Sequence, residues 1–251
     1  MARRVLILGG TEEARALAAA LVEGDVADPV TALAGRTAEP AAVAGDVRVG
    51  GFGGPQGLAG HLRDGGYAAL VDSTHPFARQ ISAHAAEAAR LAGVPRLALV
   101  RPGWEPGEGD RWLPADNEHA AASMLAGLGL PDGATVFLAL GRQRVSAFAA
   151  VSGLRFVLRT VDPVAPPWPG CRMVAGRGPF DMAAELELLR REGIAAIVCR
   201  NSGGASGRAK LEAARELGLP VLTIRRPPPP EPPVAGSVAE AVAWVGEVLG
   251  R

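Results

Sequence analysis

Arg3-Arg4-Val5-Leu6-Ile7-Leu8-Gly9-Gly10-Thr11-Glu12-Glu13-Ala14-Arg15-Ala16-Leu17-Ala18-Ala19-Ala20-Leu21-Val22 is the stretch from which the rest of the chain can be ordered. The unbroken apolar run Val5 to Leu8 reads as a buried strand, Gly9-Gly10 break it, and Ala14, Leu17, Ala18 and Leu21 recur at helical spacing. Strand, glycine loop and helix together open a βαβ unit. Glycines let the backbone bend sharply and approach a ligand, and the amides at the head of the new helix favour an anion such as phosphate. A nucleotide is the expected ligand, contacted by Gly9, Gly10, Thr11 and Glu12. The dinucleotide fingerprint G-x-G-x-x-G is incomplete here, and a plain tight turn with Thr11 as N-cap explains the same residues. Glu12 and Glu13 would repel a pyrophosphate at this helix end, which points to phosphates lying to one side.

The 251 residues, 48% of them hydrophobic, suit two modest α/β domains better than one. Lys plus Arg and Asp plus Glu each number 26, so no net field draws the chain to nucleic acid or membrane, and a small-molecule partner is expected. Lys210 is the sole lysine; the arginines reflect coding bias or bidentate recognition of carboxylate and phosphate. Cys171 and Cys199 have neither metal nor disulfide spacing, and the chain opens directly on a strand, so a cytoplasmic protein without a bound metal is expected. No apolar run approaches the ~20 residues that span a bilayer.

Apolar runs at Val5–Leu8, Val30–Leu33, Ala68–Val71 and Leu97–Val100 alternate with alanine-rich helical patterns, as in a parallel sheet covered on both faces. A second series follows at Val136–Leu140, Arg155–Leu158, Met173–Ala175, Ala195–Cys199 and Val221–Ile224, and Pro102–Asp116 between the two reads as a linker. The halves resemble one another. The segment HLRDGGYAALVDSTHPFA from His61 aligns with LLRREGIAAIVCRNSGGA from Leu188, and AAEAARLAGVPRLALVRP from Ala85 with KLEAARELGLPVLTIRRP from Lys210. The expected fold is therefore α/β, two related Rossmann-like domains with doubly wound, mostly parallel sheets facing a central cleft. Residues 1–110 form the N-terminal, cofactor-binding domain and residues 111–251 the C-terminal, substrate-binding one.

Ligands of such sheets bind beyond the carboxyl ends of the strands, so the loops there are the candidates. After the second strand, Arg36 and Thr37 stand where an acidic residue would select NAD; they suit a 2′-phosphate, hence NADPH, although an exposed loop arginine would look the same. Gly51-Phe52-Gly53 lets a cofactor approach the backbone with Phe52 packed on it, or is a loop with a buried Phe. Asp72-Ser73-Thr74-His75-Pro76 follows the next strand. Ser73 and Thr74 are cofactor candidates, and His75 is the candidate proton donor, with helix capping as the plainer account. In the second half Arg142 and Gln143, and Arg200, Asn201, Ser202 and Gly203, with Arg101 and Lys210, suit a substrate bearing several carboxylates; capping and rim ion pairs are the alternative.

GGTEEARALAAAL, AGRT, DSTHPFA, VRPGW, GRQR and NSGGASGRAKLEAARELGLPVLTIRRP together resemble the precorrin-6A reductase family of cobalamin biosynthesis, over nearly the full length. Arg200 stands where family members often carry lysine. The resemblance implies NADPH-dependent reduction of one macrocycle double bond in precorrin-6A, giving precorrin-6B, with a polycarboxylate tetrapyrrole as substrate. It implies neither metal nor flavin, and a monomer is compatible with it. Two other readings stay open: the same reduction on the cobalt-containing macrocycle, and a non-catalytic NADP-sensing module with an exposed apolar patch.

Overall fold

A computed structural model of the protein describes residues 3–35, 42–141, 144–176 and 178–250. The chain forms two units, Met1–Pro102 with Pro227–Arg251, and Gly103–Arg226. The first contains β1 (Arg4–Leu8), α1 (Glu12–Glu23), β2 (Asp28–Leu33), β3 (Asp46–Val49), α2 (Pro55–Asp64), β4 (Ala69–Asp72), α3 (Arg79–Ala92) and β5 (Arg96–Leu99). The second contains β6 (Arg111–Ala115), α4 (Glu118–Ala126), β7 (Ala134–Ala139), β8 (Leu154–Thr160), β9 (Cys171–Ala175), α5 (Met182–Arg191), β10 (Ile194–Arg200), α6 (Ala209–Glu216) and β11 (Pro220–Ile224). The chain then returns to the first unit as β12 (Val234–Ala235) and α7 (Val238–Val248). No helix among the described residues is long and apolar enough to cross a membrane.

Each unit has one six-stranded parallel sheet, ordered β12-β5-β4-β1-β2-β3 in the first and β6-β11-β10-β7-β8-β9 in the second. The continuous apolar strands follow from burial on both faces. On one face of the first sheet Val5 and Ile7 pack with Ala14, Leu17, Ala18 and Leu21 of α1 and Ala241 and Val245 of α7. On the other, Leu6, Leu8, Val30 and Ala32 meet Leu58, Ala59 and Leu62 of α2 and Ala85, Ala88 and Ala89 of α3. In the second unit Phe137, Val157, Ile197 and Val221 pack with Leu188, Leu189, Leu211 and Trp104. The internal repeat has its structural counterpart: α2–β4 and α5–β10 lead into the third place of each sheet's order, α3–β5 and α6–β11 into the second.

The division at residues 110/111 needs correction. Gly103–Asp110 belongs to the second unit, and Pro227–Arg251 to the first, where β12 pairs with β5 through Val234↔Ala98 and Ala235↔Leu99. The edge place beside β5 is thus filled by a strand that lies beyond the second unit in sequence, and the edge place beside β11 by β6, which precedes the other strands of its own unit. Both strands lack a strong local signal. β12 has two residues, and β6 carries Pro114, which only an edge strand tolerates because it offers no N–H to a ladder. For the same reason Pro102–Asp116 reads as linker although β6 begins at Arg111.

Asp110 ends the irregular segment before β6. Its carboxylate accepts from Arg215 Nε at 3.0 Å and Nη2 at 2.7 Å, and from the Gly107 amide at 2.7 Å. The Arg215 hydrogen bonds, against an opposing burial cost, hold Asp110 below the usual carboxylate range. A carboxylate with a depressed folded-state pKa contributes stability above its unfolded value near ~4, lost as pH falls through the depressed value. Asp110→Asn is therefore expected to lower stability by roughly 1–3 kcal/mol at neutral pH. The gap from the unchanged protein, read as Tm against pH, should close below about pH 4; a gap constant with pH would mean that ionisation of Asp110 is not what stabilises the turn.

Candidate functional site

In each sheet the strand order reverses between two neighbours, β1 and β4 in the first unit and β7 and β10 in the second. The crevice outside the carboxyl ends at such a reversal is the ligand site of doubly wound sheets. Among the described residues, the loops after these four strands carry Gly9–Thr11, Ser73–His75, Gly141 and Asn201–Gly204.

In the first unit the glycine loop is constrained by packing and by backbone. A Cβ on Gly9 would lie 2.6 Å from Thr31 Cγ2, and Gly10 has φ +104°, a conformation that disfavours a side chain. Thr11 Oγ1 accepts from the Ala14 amide at 3.1 Å, capping α1, and donates to the Ser73 carbonyl at 2.8 Å. One hydroxyl therefore starts the helix and ties the β1 and β4 loops together. Asp72 Oδ1 accepts from the Thr74 amide at 3.1 Å and from Thr74 Oγ1 at 2.7 Å, so Asp72 serves as the turn cap. His75 Nδ1 accepts from the Phe77 amide at 3.2 Å, which leaves the proton of a neutral ring on Nε2.

Arg101 belongs to this first unit. Its Nη1 donates to Glu13 Oε2 at 2.6 Å, with both side chains less than a fifth exposed. The repulsion expected between Glu13 and a phosphate at the head of α1 is thereby offset by a neighbouring guanidinium. Phe52 is half-buried against the core, with the Arg48 guanidinium 4.0 Å from its ring centroid and the His61 ring at 5.3 Å. Arg48 also donates to the Gly50 and Gly51 carbonyls at 2.7 and 2.9 Å, fixing the glycine loop. Burial, then the charges of Arg48 and Arg4, push His61 below the ordinary imidazole value. The Phe52 ring thus packs on this corner of the core. Gly53 has φ +76°. Arg36 and Thr37 lie outside the described residues.

In the second unit the loop after β10 is built around a residue that the sequence did not single out as functional. Asn201 Oδ1 accepts from the Trp104 amide at 2.8 Å, and its Nδ2 donates to the Trp104 carbonyl at 2.9 Å. Trp104 Nε1 donates to the Gly204 carbonyl at 2.8 Å. Arg226 donates from Nε to the Asn201 carbonyl and from Nη2 to the Ser202 carbonyl, both at 2.8 Å. Lys210 points inward: Nζ lies 4.9 Å from the Trp104 ring centroid and donates to the Gly207 carbonyl at 2.6 Å. Burial pushes its ammonium below the usual lysine value, against the pull of Cys199 and Glu185. Arg200 donates to Glu118 Oε1 from Nε at 3.2 Å and Nη2 at 2.7 Å.

Arg200 ends β10, Asn201 follows it and Lys210 lies in the first turn of α6, each with a protein partner. Gly203 and Gly204 have φ of +66° and +78°. Arg142 and Gln143 lie outside the described residues. Trp104, Arg226 and Glu118 escaped sequence reasoning. The signals for the first two were the VRPGW and RRP segments, whose shared Arg-Pro follows β5 and β11, the second strand in each sheet's order.

Two doubly wound parallel sheets, each with glycine-rich polar loops at its order reversal, define a two-domain Rossmann-like protein. The profile described as precorrin-6x reductase CbiJ/CobK matches residues 4–246, and the chain belongs to that family. It is 49% identical over 251 residues to a precorrin-6A reductase of Rhodococcus erythropolis, covering 99% of both chains. A cobalt-precorrin-6A reductase of Methanothermobacter thermautotrophicus is 30% identical, covering 89% of this chain and 76% of the relative. A solved CobK precorrin-6A reductase superposes with a TM-score of 0.90 at 40% identity, covering 99% of this chain and 97% of that one.

Proposed function

We propose that the protein catalyses NADPH-dependent reduction of one macrocycle double bond in precorrin-6A, giving precorrin-6B in cobalamin biosynthesis. The observation that carries this reading is family membership across the whole chain, with the candidate loops at both switch points. The higher identity to the metal-free reductase, 49% against 30%, favours precorrin-6A over its cobalt complex.

The first unit suits a dinucleotide. Its glycine loop lies at the order reversal, a Cβ on Gly10, Gly51 or Gly53 would meet nothing within 4 Å, and Arg101 balances Glu13 beside the helix head. In this reading Gly9, Gly10 and the first turn of α1 hold phosphate, and Arg36 and Thr37 recognise the 2′-phosphate. Gly51 and Gly53 give close backbone approach, and Ser73 and Thr74 border the nicotinamide. NADPH, when bound, supplies the hydride. His75, through its Nε2–H, is the candidate donor of the accompanying proton.

The loop after β10 and the Arg142-Gln143 pair receive the substrate's carboxylates, with amides as the donors and Arg200 adding charge. Thr11, Phe52, Asn201 and Lys210 then act as supports of those loops, because their polar groups or rings are already held within the protein. The two cysteines are free and buried, which suits a reducing cytoplasm, and the enzyme acts there as a monomer in this reading.

The test is anaerobic incubation with NADPH and metal-free precorrin-6A, following nicotinamide oxidation and macrocycle absorbance together, with NADH in parallel. Stoichiometric coupled changes are expected with NADPH. Turnover of only the cobalt-containing substrate would move the activity to the other macrocycle, and cofactor binding without any turnover would leave a sensor.

A further inference from the structure

We propose that Trp104 and Arg226 are positioning residues that set the loop after β10 for substrate, an inference resting on the reading of that loop as a carboxylate contact. Trp104 is 6% exposed, yet its backbone and indole N–H are spent on Asn201 and Gly204. Arg226 holds the two intervening carbonyls, those of Asn201 and Ser202. Three carbonyls of one short loop therefore face a Trp–Arg clamp.

A trans peptide points its C=O and N–H in opposite directions. Holding the Ser202 and Gly204 carbonyls to the clamp turns the amides of Gly203 and Ala205 away from it, as donors for an anion. The left-handed backbone at Gly203 and Gly204, φ +66° and +78°, permits two such turns in succession. Lys210 Nζ lies 4.9 Å from the centroid of the indole, and a Cβ on Gly207 would come within 2.8 Å of that ring, so the clamp is packed and not merely hydrogen-bonded. Trp104 follows Gly103 and Arg226 closes the unit, so both ends of the second unit grip the same loop.

The experiment compares Arg226→Met, Arg226→Lys, Trp104→Phe and the Met/Phe double variant in steady-state reduction of precorrin-6A, with NADPH affinity and Tm measured in parallel. Ser202→Glu, which puts a negative charge in the loop, reports on the loop itself. Arg226→Met removes two charge-assisted hydrogen bonds and is expected to raise KM for precorrin-6A by roughly tenfold or more, with NADPH affinity unchanged. Arg226→Lys should recover part of that loss. The double variant should lose less than the product of the single effects, because both residues hold one loop.

Unchanged KM and kcat in the folded single variants, with Ser202→Glu still abolishing substrate binding, would overturn the positioning role and leave the loop reading standing. Substrate binding indifferent to Ser202→Glu as well would overturn both. A lowered Tm with normal kinetic constants would make Trp104 and Arg226 structural only, against the proposal.

Discussion

His75→Ala is expected to slow reduction of precorrin-6A by about 100-fold or more while NADPH affinity stays unchanged. His75 follows β4, at the order reversal of the first sheet, where a side chain can reach the reacting part of a bound ligand. Its Nδ1 accepts from the Phe77 amide at 3.2 Å, so the ring has a fixed anchor and a single remaining N–H, on Nε2. That bond also gives His75 a structural duty, and the alanine variant alone would not separate the two. His75→Asn does so, because an amide oxygen can still accept from Phe77 but no proton can be delivered. If His75→Asn is as slow as His75→Ala, proton delivery is the role. Recovery of the rate with asparagine would assign His75 to loop support, and an unchanged rate in both variants would make solvent the proton source.

Arg36→Ala should weaken NADPH binding by about 10- to 150-fold, the loss of a charge-assisted contact of roughly 1.5 to 3 kcal/mol, and scarcely affect NADH. Arg36 follows the second strand of a sheet whose order is now established, and that loop reads the adenosine ribose in dinucleotide-binding domains. A guanidinium there pairs with a 2′-phosphate, whereas a carboxylate would accept from a 2′-hydroxyl. Titrating both cofactors against the variant decides it. Equal losses for NADPH and NADH would mean that Arg36 shapes the loop, and no loss for either would remove it from the site.

Much of the first unit was legible because its signals are local. The run Val5–Leu8, the Gly9-Gly10 break and the Thr11 cap each lie within a few residues of what they specify, and β1, α1 and the cap follow them. The β10 loop was legible as polar and glycine-rich, but not as a structure. Asn201 looked like a free amide until Trp104, 97 residues away, was seen to use both ends of it. Arg101 read as a substrate ligand because it follows the carboxyl end of a strand, whereas its partner Glu13 is 88 residues earlier in sequence.

By itself the amino-acid sequence determined the two parallel sheets, their repeated helix–strand units and the loops at which chemistry is to be sought. Period, turn residues and caps are properties of short segments, and buried parallel strands announce themselves as continuous apolar runs. Tertiary structure alone decided which strand completes each sheet and which polar side chains are already engaged. A two-residue β12 and a proline-bearing β6 gain their pairing only from a sheet edge built elsewhere in the chain. A guanidinium or an amide shows its commitment only when long-range folding brings its partner within hydrogen-bonding distance.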